Sequence, residues 1–354
     1  MKLVALVAVL ALGIGGGQTP AKDVIVVGWI GHLGWLNEGS GEFEAEIDRV
    51  PVYFPRVFGP GRTAWNLCWW DASEGEPYTL SCSKPDGHIE SWTLTVKRLK
   101  ELRVPATGRY SNTHQEYYEG KLVGFDHQHP LVGIGDRLLT MKDGVWNNDQ
   151  VPGYDASAKL VEVRNDATVV LKEFDDRAYA ITESRMTGIR RFLLGMGHLD
   201  KAIGTGENGL LVSVESGYNE HAQLKLWDME GATPRSIGAW NATGAVFASD
   251  GRIYRESRGG VDPTSMNKEF CGWTKLQPIE DNGSANVIQV AGDVYTSDVD
   301  LPTHQLWGVR CMVGHMGEPF IESDYLSGKQ KTLLKNAVQS VGRYERVAYV
   351  ENLY

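Results

Sequence analysis

The chain has 354 residues, 42% of them apolar, 10% aromatic and 23% charged, which is a globular composition. Its net charge of −10 argues against a nucleic-acid partner, because holding phosphates needs a surface rich in lysine and arginine. The 41 glycines and 11 tryptophans suit a chain of many short strands, with glycine at the turns and aromatics on pleated faces.

Residues 1–21 read as an export signal. Lys2 is the charged start, Leu3 to Ile14 the apolar run, and Gly15-Gly16-Gly17-Gln18 the cleavage zone. The run is short for a membrane span, and a buried N-terminal strand is the alternative. No later stretch is apolar enough to cross a membrane. Residues 22–354 are therefore expected to form one soluble domain, secreted, periplasmic or on the cell surface. An even number of cysteines fits that compartment. Cys68 and Cys82 fall in consecutive strand-like segments, and Cys271 and Cys311 in neighbouring units, so the expected bridges are Cys68–Cys82 and Cys271–Cys311. Three pairings exist in principle. No C-x-x-C or C-x-x-H spacing marks a zinc site.

The first strand-rich unit comprises Phe54-Pro55-Arg56-Val57, Ala64 to Trp70, Tyr78 to Ser83, and a closing stretch from Ser83 to Trp92. That last stretch, with Ser83, Asp86, Gly87 and Trp92, resembles the Asp-box hairpin of the sialidase-like (BNR-repeat) propellers, at a spacing two residues longer. In that family the serine and aspartate bond the turn backbone and the tryptophan packs beneath it, a structural role. An ordinary Pro-Asp-Gly turn is the other reading. The same family holds a substrate carboxylate with an arginine near the start of its first blade. The similar composition of Phe54-Pro55-Arg56 implies that role for Arg56, whose planar fork suits a carboxylate. Lys97-Arg98-Leu99-Lys100 reads as a solvated strand end followed by a loop.

Asp126-His127-Gln128-His129-Pro130 is the densest titratable cluster. On a strand, His127 and His129 would face one side. His127 and Asp126 are thus the catalytic candidates, as base or metal ligand and its support, and His129 a substrate contact. From about residue 130 a turn-then-strand signature recurs: Gly135 to Leu139, Asp176 to Ala180, Asn208 to Val212, Asp250 to Tyr254 and Gly292 to Thr296. Its steps of roughly 40 residues match a four-stranded blade. A second strand signature follows each: Leu160 to Val163, Arg191 to Leu194, Leu224 to Trp227, Trp273 to Leu276 and Gln305 to Val309. Such units have two apolar faces and must stack.

Glu215 to His221 is a loop in which Glu215 and Tyr218 resemble the carboxylate–tyrosine pairing of sialidases, and both are candidate substrate contacts. Asp298 and Asp300 offer oxygens to calcium, but no spaced ligand loop follows, so no cofactor is expected. Tyr325 to Ser340 reads as a connector helix. Gly342 to Val350 reads as a last strand that closes a ring with Val24 to Val27 or Val50 to Phe54. The expected fold is therefore an all-β propeller of six four-stranded blades, with seven as the alternative count and a pair of sandwiches as the alternative architecture. The expected function is recognition of a glycan on one face, with cleavage as an added step. The rivals are a protein-binding scaffold and a structural surface component.

Overall fold

A computed structural model describes residues 23–27, 32–36, 43–47, 56–57, 67–71, 77–83, 88–127, 129–205, 209–217, 221–247, 252–259, 273–279, 287–291, 294–310, 318–337 and 350–352. Strands β1 (Asp23–Val27), β2 (His32–Leu36) and β3 (Phe43–Ile47) form a three-stranded sheet. Four-stranded antiparallel meanders follow in chain order. The first is β4 (Arg56–Val57), β5 (Leu67–Asp71), β6 (Tyr78–Ser83) and β7 (Ile89–Leu94). After helix α1 (Val96–Glu101) and the ribbon β8 (Gly108–Arg109) with β9 (Glu116–Tyr117) comes the second. Its strands are β10 (Gly120–Asp126), β11 (His129–Ile134), β12 (Arg137–Lys142) and β13 (Val145–Asp149). The third is β14 (Ala158–Val163), β15 (Ala167–Phe174), β16 (Arg177–Ser184) and β17 (Gly188–Met196). The fourth is β18 (His198–Thr205), β19 (Gly209–Ser216), β20 (Gln223–Asp228) and β21 (Arg235–Asn241). The fifth is β22 (Gly244–Phe247), β23 (Ile253–Gly259), β24 (Trp273–Pro278) and β25 (Ile288–Ala291). The sixth is β26 (Val294–Asp300), β27 (Gln305–Arg310), β28 (Glu318–Asp324) and β29 (Gln330–Ala337).

Period-two patterning explains how these units hold together. Successive residues of a strand point to opposite faces, and here both faces are apolar. Leu122, Val132 and Leu139 share a core with Cys68, Leu80 and Leu94 of the first meander. Their chain neighbours Val123, Leu131 and Leu138 share a different core with Val161 and Val170 of the third. The pattern repeats: Leu160 and Val169 pack with Leu199 and Val212, Leu211 and Leu224 with Ala245, and Val246 and Tyr254 with Val294 and Leu306. Each meander from the second to the fifth is thus sandwiched between its neighbours in sequence, a propeller-type arrangement.

First strands also approach side by side. β10 and β14 pair in parallel, Gly124 opposite Val161 and Asp126 opposite Val163. Gly124 has φ 142°, and a Cβ there would lie 2.0 Å from the Val161 carbonyl oxygen, so only glycine permits this approach.

Several expectations are corrected. The recurring signature is genuine turn chemistry, yet it marks no single place in the meander. It precedes the third strand of the second and third meanders, the second strand of the fourth and fifth, and the first strand of the sixth. First strands begin 38, 40, 46 and 50 residues apart from the second meander to the sixth, so the signature drifts in phase. The segment expected as a helix from Tyr325 is a turn followed by β29, which pairs with β28 and completes the sixth meander. The basic run at Lys97 is helical instead of a strand end. Thr95 caps α1 by accepting from the Arg98 N–H at 3.2 Å, Leu99 is buried, and Arg98 and Leu102 bond Trp146 and Asn148 of β13. Of the closing strand expected at Gly342 to Val350 only Val350 lies among the described residues, in β30 (Val350–Asn352), which pairs antiparallel with β18, the first strand of the fourth meander. Among the described residues no sheet closes on itself.

Cys68 and Cys82 stand opposite one another on β5 and β6 and form a disulfide. A bridge of this kind is consistent with an extracytoplasmic protein. Cys271 and Cys311 lie outside the described residues. No helix among the described residues is long and apolar enough to cross a membrane. Because the bridge spans 14 residues of chain, loop-closure entropy predicts that Cys68→Ala with Cys82→Ala lowers unfolding free energy by about 3 kcal/mol. Denaturant titration of the oxidised protein and the variant checks this. Equal midpoints would mean that the bridge does not constrain the chain.

Candidate functional site

The cluster expected around residue 126 exists, but its geometry is that of a turn. Asp126 ends β10 and His129 opens β11 in register with it, so His127 sits in the hairpin between them. The two histidines therefore do not share a strand face. His127 adopts φ 53° and its N–H donates to the Val163 carbonyl at 2.9 Å, which pins the turn to the end of β14. The close approach at Gly124 makes that bond reachable.

Around this turn the structure gathers side chains from three hairpins. His127 Nδ1 lies 2.5 Å from Asp126 Oδ1, and Nε2 lies 3.0 Å from Asn165 Oδ1 in the turn after β14. The other Asp126 oxygen accepts from Lys142 Nζ, which also lies 3.5 Å from Asp149 Oδ2. Burial alone would raise the Asp126 carboxyl, but hydrogen bonds from Lys142 and His127 outweigh it and hold the group below its usual range. Asp149 moves the other way. Burial, with the Asp126 charge added, raises its carboxyl despite the opposing pull of Lys142 and His129. Lys142 is also reluctant to be buried as a cation, yet Asp126 and Asp149 keep its ammonium above the ordinary value.

Beside the cluster, Arg164 Nε and Nη2 donate to Glu162 Oε2 at 2.9 and 2.7 Å, and Nη1 donates to the Met229 carbonyl at 2.7 Å. Both side chains of that pair are buried. The pair ties the Asn165 turn to the fourth meander, and its value depends on every partner staying in place.

Chemically the cluster is an ion-pair and hydrogen-bond network at one end of the stacked sheets. With both ring nitrogens of His127 engaged, the imidazole is held as a positioned polar group. Acting as a base or metal ligand would require breaking one of those contacts.

The remaining candidates fall elsewhere. β14 runs parallel to β10, so Asp126 and Val163 share an end. The third meander then reverses three times and finishes at Met196, at the opposite end. There Gly197 N–H donates to the Asp176 carbonyl at 2.7 Å and Leu199 N–H donates to Glu173 at 2.6 Å. Glu215 pairs with His198 at that far end. Glu215 is thus separated from Asp126, His127 and His129 by the length of the sheets, and these residues do not form one centre. Arg56 is paired opposite Cys68; its side chain, Tyr218 and the turn at 84–87 lie outside the described residues. Asp298 and Asp300 stand on β26 opposite Trp307 and Gln305. No group of three metal-ligating side chains occurs among the described residues.

Sequence reasoning missed Lys142, Asp149 and Asn165. The signal was present as turn chemistry: Lys142-Asp143-Gly144 and Arg164-Asn165-Asp166 each mark a hairpin at the same end as Asp126.

No family model and no curated protein matches the chain. Among solved structures it is similar to a functionally unknown protein from Desulfotomaculum acetoxidans DSM 771, at 9% identity and a TM-score of 0.50, over 94% of this chain and 99% of that one. It is also similar to dihydro-heme d1 dehydrogenase NirN, at 12% identity and 0.47, over 92% and 75% of the two chains. Oligogalacturonate lyase in complex with manganese is similar at 12% and 0.45, over 89% and 85%. These neighbours are β-propeller-type proteins, and the likeness bears on fold alone.

The opposed shifts of Asp126 and Asp149 have opposite consequences for stability. A lowered carboxyl contributes stability that is present above the unfolded value near 4 and is lost as pH falls through the folded value. A raised carboxyl costs stability once pH exceeds both values. Asp126→Asn should therefore lower stability at pH 7, by about 1 kcal/mol after allowance for solvent screening, with the deficit shrinking below pH 4. Asp149→Asn should be neutral or stabilising at pH 7 and lose that advantage in acid. Thermal melts of both variants from pH 3 to 7 check the signs, and equal losses at pH 7 would contradict the assignment.

Proposed function

We propose that this protein is an extracytoplasmic propeller with a ring of six blades that acts by binding a protein ligand, not by turning over a glycan. The apolar start of the chain and the Cys68–Cys82 bridge support the compartment. Successive two-sided meanders support the blade count.

One observation carries the choice of a binding role. The acid–base candidates Asp126 and His127 lie at one end of the sheets, while the carboxylate candidate Glu215 lies at the other. Glycoside cleavage needs two such groups across a single bond, within about 10 Å. With His127 engaged at both nitrogens as well, the turn serves as a rigid polar surface.

The test is to incubate the full chain with neutral and acidic oligosaccharides and to follow new reducing ends, alongside a glycan-binding array. The expected result is no release. Release that disappears in His127→Ala or Arg56→Ala would overturn the reading in favour of a glycan enzyme. Array binding without release, weakened by those same substitutions, would replace the protein ligand with a glycan.

A further inference from the structure

Strand β17 is nine residues long and ends its sheet, with β16 on one side and, among the described residues, no strand on the other. From Ser184–Gly188 to Tyr179–Leu193 it pairs with β16 without a bulge, so the outer row of main-chain N–H and C=O groups is regular. Such an edge is a template for a further strand unless something covers it.

The side chains along this edge are unusual for a solvated strand. Ile189 is 61% exposed, Leu193 53%, and Met186 in the preceding turn 96%. Ile189 and Leu193 lie on the face shared with Tyr179 and Ile181 of β16, and Ile181 packs into the core between the second and third meanders.

Charge supplies the second observation. Arg185, Arg190 and Arg191 are exposed on β17 or its turn, and none forms an ion pair with a described residue. Arg191 lies over the Tyr179 ring at 4.0 Å from its centroid, which holds the guanidinium against the apolar strip. Three cations with no ion pair among the described residues, on one edge of a chain with net charge −10, make a local basic surface.

We infer that the β17 edge takes an extended segment of a partner polypeptide in which acidic and apolar residues alternate. The segment adds as a strand, its backbone bonded to the open edge, its apolar side chains on Ile189 and Leu193, and its carboxylates on the opposite face beside Arg190, with Arg191 adding to the positive field of the edge. This names the partner chemistry for the protein-binding role above and rests on that reading. A second copy of this chain fits poorly, because antiparallel β17–β17 pairing sets arginine against arginine.

The test measures fluorescence anisotropy of a labelled ten-residue peptide of alternating glutamate and valine, titrated with the full chain. Binding is expected, and it should weaken as salt rises. Arg190→Glu with Arg191→Glu should weaken it about tenfold. Melting curves confirm that this variant is folded, and Arg190→Glu alone serves if it is not. A lysine-for-glutamate peptide and an N-methylated glutamate peptide should not bind. Equal binding of both charge types, indifference to the arginine reversals, no binding at all, or a concentration-dependent dimer lost in the double variant would each overturn the inference. Oligosaccharide turnover would instead remove the protein-binding reading and leave the peptide result standing, so the two failures are distinguishable.

Discussion

The second to fifth meanders are apolar on both faces, and that single constraint organises the molecule. In β10, Leu122 faces the first meander while Val123 faces the third. In β14, Leu160 and Val161 divide in the same way between the fourth and second meanders. Burying one such side chain contributes about 1.5–3 kcal/mol relative to leaving it in water. An isolated meander would leave half of that contribution unrealised and could not offset the entropy of ordering its chain. Stacking is therefore obligatory, and it fixes where strand ends, and hence turns, come together.

The candidate site and the open edge both follow from this stacking. Parallel approach of β10 to β14 needs Gly124, and it brings the His127 turn within reach of Val163 and Asn165. Lys142 arrives from the turn end of β12 and joins Asp126 to Asp149. Polar groups at this end are satisfied by one another, which favours a rigid surface. Along β17 the opposite holds. The nine-residue strand keeps Ile189 and Leu193 exposed on an edge that no described strand covers.

Much of the fold was legible because period-two patterning and turn chemistry are local. The strand pair carrying Cys68 and Cys82, and the strands of the first meander, were read correctly for that reason. The blade phase was not legible. Turn residues such as Gly135-Asp136 and Asp175-Asp176 suit any hairpin, so the signature could not say which hairpin of a meander it marked. The segment from Tyr325 to Ser340 reads as a helix because its adjacent apolar residues Leu333 and Leu334 fit either period. The decision rested on pairing with β28, which lies outside the local sequence. The pattern of Asp126 to Pro130 suits one strand, whereas His127 occupies the left-handed conformation of a turn and so leaves the face of His129. Lys142 and Asn165 were missed because only the stacked sheets bring three hairpins together.

The most direct test of the two-sided stacking is a set of double-mutant cycles on adjacent residues of β10. Leu122→Ala should couple with Leu80→Ala, with which it shares a core, and be additive with Val161→Ala. Val123→Ala should show the reverse, coupling with Val161→Ala and not with Leu80→Ala. Coupled pairs should show interaction energies of roughly 0.5–3 kcal/mol, and uncoupled pairs should add to within about 0.5 kcal/mol. Coupling of Leu122 and Val123 to the same partner would contradict the account.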